Sequence, residues 1–193
     1  MIEILAALSV AAAVGMRIAL PLLIIGLLYS NNFWADVPVL AHIPPRLVLG
    51  VLVSWSLVEL FVSKRRLGQR VLQIVQLWFS PFVGAIAGIT VARSTGISDS
   101  LIGLLGVVCG LLALVLQLVQ VGWFFRLRGL PLWAIFLQDF LCVSLVLFAF
   151  DAPEQGGLIA LLLLWLAIRS TTEWQRWYRE GKRTGRQNLD RQS

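Results

Sequence analysis

The chain is short of nearly everything a soluble catalyst relies on. Charged residues make up only 13% of its 193 positions, against about 25% in ordinary soluble domains. It has a single histidine, His42, in the loop "LAHIPPR" between apolar runs. A histidine dyad or a histidine-based metal centre within a membrane segment is therefore excluded. The two cysteines, Cys109 and Cys142, each lie inside an apolar run. Their spacing suits neither a disulfide framework nor zinc, and they read as small buried hydrophobes. No Walker loop, GxGxxG, HExxH or GxSxG occurs. The expectation is no enzyme, no cofactor and no metal. A polar linker is lacking as well, so residues 1–172 read as one membrane domain and 173–193 as a basic cytoplasmic tail.

Hydrophobic length is what the chain has. Hydrophobic residues make up 59% of it. The apolar runs are continuous rather than alternating, which argues for helices over barrel strands. A helix needs about 20 apolar residues to span a bilayer. The candidate spans are Ile4–Leu28, Leu47–Val62, Val71–Ala92, Leu101–Phe125, Leu130–Phe150 and Leu158–Thr172. The predicted fold is an all-α polytopic membrane bundle of about six transmembrane helices. The first run begins "MIE", acidic rather than basic, and reads as a retained helix, not a cleaved signal.

Positive charge is unevenly placed. Lys64, Arg65, Arg66 and Arg70 follow the second span, and Arg126 and Arg128 follow the fourth. The tail from Arg169 to Arg191 is basic, while the other connections are weakly charged. The positive-inside rule then puts both termini in the cytoplasm and makes each basic loop a lipid-headgroup contact. Trp34 falls at an outer end, and Trp123, Trp133, Trp174, Trp177 and Tyr178 at inner ends, as interfacial anchors do. Trp55, Trp78 and Trp165 do not fit that belt and read as packing residues. Topology accounts for the basic tail, so nucleic acid is not an expected partner. The expected location is multi-pass, in a bacterial inner membrane or a thylakoid-type membrane.

Three ionisable residues lie within spans: Arg17, Glu59 and Asp139. A charge at the bilayer centre costs about 2.5–3.5 kcal/mol on insertion scales, so each must find a partner. At 1.5 Å per residue, Arg17 lies about 20 Å deep, Asp139 about 14 Å and Glu59 about 6 Å. Arg17 with Asp139 is the primary pair on those depths, with Glu59 nearer the inner mouth. Gln73, Gln76, Gln117, Gln120 and Gln138 gather at similar depths. The cluster reads either as a structural hydrogen-bonded network or as a cytoplasm-facing cavity for an ion or small polar solute. Pro21, four residues past Arg17, removes a helical bond to the Arg17 carbonyl, and Pro81 offers a second break. The stretches "GAIAG" (Gly84, Gly88) and "GVVCG" (Gly106, Gly110), with Gly103 on the face of Gly110, suit close helix packing. That packing is either within the chain or against a second copy or a partner membrane protein.

At "GMRIALPLL" the sequence resembles an uncharacterised bacterial membrane family, domain of unknown function 4126. Gly15, Arg17, Pro21, Leu22 and Leu23 match its first-span pattern Gly-x-Arg-x-x-x-Pro-Leu-Leu. Glu59 and Lys64 match a glutamate followed by Asp-Lys, with Ser63 in place of the aspartate. Pro81, Gly84 and Ala85 match a later proline with small residues, and Gln138–Asp139 stands where the family has Glu-Asp. The resemblance covers roughly residues 5–170 and implies no activity. Two functional readings follow from the residues: a small permease or channel-like protein lined by Arg17, Glu59 and Asp139, or a non-catalytic scaffold that binds partner helices through its glycine faces.

Overall fold

A computed structural model describes residues 2–28, 45–62, 66–95, 99–127 and 132–170. Within them the chain is helical throughout: α1 (Ile2–Met16), α2 (Ala19–Leu28), α3 (Pro45–Val62), α4 (Arg66–Ser94), α5 (Asp99–Leu127), α6 (Leu132–Asp151) and α7 (residues 153–170). Three stretches are long and apolar enough to cross a bilayer: Val71–Ser94, Leu101–Trp123 and Trp133–Asp151. The outer surface is greasy. Trp78, Phe82, Phe136 and Phe140 are each at least 65% exposed, far beyond what water tolerates on one continuous surface. This is the make-up of an integral membrane protein. Lys64, Arg65, Trp34, His42, Trp174, Trp177 and the tail lie outside the described residues, as do the side chains of Arg66 and Arg70.

The centre of the bundle is α1, packed against α4, α5 and α6 at once. Its sequence explains why. The run "AALSVAAAVGM" is nearly all small side chains, and every residue in it except Leu8 is buried. Small residues let backbones approach, which is how helices associate where lipid removes the hydrophobic drive. The approach is close enough to be read atom by atom. A Cβ added to Gly15 would fall 2.8 Å from the Ala113 Cα. Ser9 donates to the Leu145 carbonyl at 2.7 Å, and the thiols of Cys109 and Cys142 point at the carbonyls of Ala7 and Ala13.

These contacts also fix run directions. Ser9, Ala13 and Met16 meet Leu145, Cys142 and Gln138 in turn, so α1 is antiparallel to α6. Ala7 meets Cys109 and Gly15 meets Ala113 and Leu116, so α1 is parallel to α5. Six alternating crossings starting with Ile4–Leu28 would make the first and fourth spans antiparallel. The packing of α1 against α5 and α6 does not fit that alternation. Leu5 and Ser9 meet Gly157 and Gly156 at the start of α7, whereas Ser170 near its end meets Trp123 late in α5. The described N-terminal and C-terminal ends therefore sit at opposite ends of the bundle.

The physical reason is a break in the first apolar run. The last α1 bond is Arg17 N–H to the Ala13 carbonyl, 3.0 Å; the helix stops at Met16 and a new one starts at Ala19. Pro21 then sits in the first turn of α2, where a missing N–H costs nothing. Glu59 of α3 lies beside Gln76 of α4. With 15 residues, α1 is about 22 Å long, short of the roughly 30 Å hydrocarbon core.

Pro81 behaves differently from Pro21. α4 continues unbroken from Arg66 to Ser94 through it, so the second break expected there is absent. One ladder bond is lost, the one that would reach the Leu77 carbonyl, and a long, packed helix tolerates that loss. The tryptophans assigned to packing are also corrected: Trp55, Trp78 and Trp165 are 38%, 73% and 56% exposed. They stand on the outward face.

Candidate functional site

The site forms where α1 stops. Arg17 is the residue at the break, and its side chain is 9% exposed. Its Nε lies 2.8 Å from Asp139 Oδ1, and its Nη2 donates to Asp139 Oδ2 at 3.4 Å. The shorter approach is off the N–H axis, so it is an ionic contact without a hydrogen bond. On the other side, Arg17 Nη1 is 3.7 Å from Glu59 Oε2. One guanidinium thus stands between two carboxylates from α3 and α6. Attraction scales as 1/r, so at these distances the Asp139 contact is about a third stronger than the Glu59 contact.

The polar side chains around the charges form a directed chain. Gln76 Nε2 donates to Glu59 Oε1 at 2.8 Å, and Trp55 Nε1 donates to the same oxygen at 3.0 Å. Gln117 Nε2 donates to Gln76 Oε1 at 3.4 Å. Two donors in series, Gln117 and Gln76, and a separate one, Trp55, therefore point toward Glu59, whose residue exposure is 2%. The far end of the chain is open. Gln117 Oε1 has no partner among the described residues, and neither do Ser80 Oγ and Gln73 Oε1.

Gln138 has a second role, set by the helix break. Its Nε2 donates to the Met16 carbonyl at 2.7 Å and to Gln120 Oε1 at 3.3 Å. Met16 ends α1, and its carbonyl is one of the acceptors a helix terminus leaves without a partner. The α1 C-terminus also presents the negative end of its dipole to the cation at position 17. Arg17 is thus held by two carboxylates and by the end of its own helix.

The structure brings together Arg17, Glu59, Asp139, Gln76, Gln117, Gln120 and Gln138 from five elements. Spacing alone points to the charged residues, since ionisable groups in apolar runs need partners. It does not point to Trp55, which reads as lipid-facing or packing until its N–H is seen on Glu59. Gly84, Gly88, Gly106 and Gly110 all face the α4–α5 contact: an added Cβ would strike Ala113, Cys109, Ile89 and the Pro81 carbonyl respectively, each within 2.8 Å. Gly103 has nothing within 4 Å and takes no part in that contact. Among the described residues no group of three His, Cys, Asp or Glu side chains could hold a metal.

A family model described as Domain of unknown function (DUF4126) matches residues 4–173. The chain belongs to that family. No curated protein and no solved structure matches it.

Proposed function

We propose that this member of the family of unknown function 4126 is a small permease, with a path for an ion or small polar solute that passes Arg17. The observation that carries the reading is the position of Arg17: a cation at the break between two short helices, held by carboxylates from two other elements. Broken helices at membrane depth place backbone polar groups and helix termini beside a substrate, and they are tolerated only where protein or water covers them. The polar groups lie off centre. Gln117 is about 15 Å from the α5 terminus and about 27 Å from its start at 1.5 Å per residue. A path would be wet from the end where α3 meets α4 and closed by the small-residue packing of α1, α4 and α5 at the other. By the distribution of Lys and Arg, the wet end is the cytoplasmic one.

The scaffold alternative receives less support. Of the glycines that would bind partner helices, Gly84, Gly88, Gly106 and Gly110 are filled by the chain's own α4–α5 contact.

The test is flux in liposomes holding the purified protein, read by an entrapped pH dye for protons and by light scattering for glycerol and urea. Arg17→Lys keeps the charge and the fold but cannot span both carboxylates. The expected result is wild-type flux with at least a tenfold loss in Arg17→Lys. A folded, inserted wild type that passes none of these probes would overturn the reading, as would an Arg17→Lys protein of undiminished rate.

A further inference from the structure

We infer that Glu59 is the binding site for an exchangeable proton, carried on Oε2, and that the solute of the proposed permease is H⁺. The second half rests on the permease reading; the first does not.

The inference begins from a charge count. Arg17 contributes one positive charge, and Glu59 and Asp139 contribute two negative charges when both are ionised. Among the described residues, the other side chains facing Glu59 carry no compensating charge. These are Gln76 on α4 and Trp55 on its own helix, with Gln117 behind Gln76 on α5. α2 packs on α3 with only apolar residues and brings no ionisable group. Cys142 on α6, near both acids, is a buried free thiol. Counted over the described residues, the fully ionised site is therefore one negative charge in excess, at a depth where an uncompensated ion costs several kcal/mol. One proton makes it neutral.

Geometry assigns that proton to Glu59 over Asp139. Asp139 has the close guanidinium contacts, 2.8 and 3.4 Å, and its side chain is 26% exposed. Glu59 has the long contact, 3.7 Å, with its side chain 3% exposed. Within Glu59 the two oxygens differ. Oε1 already accepts from Gln76 and Trp55. Oε2 has the 3.7 Å contact with Arg17 Nη1, too long for a hydrogen bond, and is the more basic of the two. The step is simple association, H⁺ with the Oε2 lone pair, with no bond to carbon made or broken.

A second, independent observation points to how a proton would arrive. Gln117 Oε1 and Ser80 Oγ are buried acceptors with no partner among the described residues, and those residues are 1% and 0% exposed. Native proteins satisfy such groups, commonly with ordered water. Water along Ser80, Gln117 and Gln76 would end at Glu59, and water is what conducts protons. A divalent ion is a poorer fit, because Arg17 already occupies the space between the two carboxylates.

The test is infrared difference spectroscopy of the reconstituted protein between pH 9 and pH 5. The expected signal is one protonated-carboxyl C=O band that shifts in D2O and is lost in Glu59→Gln. In Asp139→Asn the whole guanidinium is released to Glu59, so the band should need at least tenfold more protons to appear. That arm keeps the inference open to refutation should Glu59→Gln fail to fold. A wild type without the band would overturn the proton site, as would a band unmoved in Asp139→Asn or one surviving in Glu59→Gln. The band without proton flux would sink the H⁺ permease and leave the site. Glycerol or urea flux without the band would sink both halves of this inference and leave the permease reading.

Discussion

Replacing Arg17 by Gln removes the only cation in the described charged cluster and leaves its two carboxylates facing each other across the space it filled. Glu59 is 2% exposed, so bulk solvent screens its charge poorly. Removing one member of a buried ion pair costs about 3–5 kcal/mol, because the partner stays buried and unpaired. Protonation of one or both acids would soften this, so the loss should grow with pH between 5 and 9. Glutamine can still hydrogen-bond, so the loss is electrostatic rather than steric. The same reasoning predicts a rescue. Adding Asp139→Asn removes one orphaned charge, and groups in direct contact couple by about 0.5–3 kcal/mol. Thermal or SDS-induced unfolding of detergent-purified protein, followed by circular dichroism, measures both quantities. An Arg17→Gln protein within about 0.5 kcal/mol of wild type would refute the argument, given that surface substitutions commonly fall in that range. Strict additivity of the double variant would refute it equally, since the two residues would then be energetically independent.

Gln138→Leu should lose about 1–3 kcal/mol, the cost of stranding the Met16 carbonyl, measured in the same unfolding assay; an unchanged midpoint would show that the carbonyl has another partner. Gly110→Ala places a methyl 2.7 Å from the Pro81 carbonyl, and the overpacking should cost about 1–3 kcal/mol. Gly103→Ala, where nothing lies within 4 Å, should be neutral or slightly stabilising, and the contrast between the two is the check. For run direction, cysteines placed singly at Ile2, Thr95 and Gln155 should react with a membrane-impermeant maleimide from the same face. All three positions are exposed and lie at the end where α1 begins, whereas native Cys109 and Cys142 are buried. Labelling of Ile2→Cys from the opposite face would contradict the parallel packing of α1 and α5.

Much of this molecule can be read along the chain. An uninterrupted apolar run has one stable form in lipid, a helix, so residues near 47–62, 71–92, 101–125, 130–150 and 158–170 announce α3 to α7. Arg17, Glu59 and Asp139 announce one another for a similar reason: a charge in hydrocarbon is too costly to leave alone, and only three are available to pair. Even their ranking was visible, with Arg17 closer to Asp139 than to Glu59. Where the chain goes after Arg17 was not visible. Apolar periodicity is blind to direction, and "GMRIALPLL" is equally compatible with a kinked crossing and with a reversal. Packing settles the direction of α1 against α5, because its small residues fit there in one register, with Gly15 against Ala113 and Ala7 against Cys109. The roles of Gln138 and Trp55 follow from the same cause. A glutamine becomes a cap only once a helix end is placed beside it, and an indole becomes a donor to Glu59 only once its neighbour's charge is buried. Residue type carries the need for a partner; which partner meets it is a property of how the helices are arranged in space.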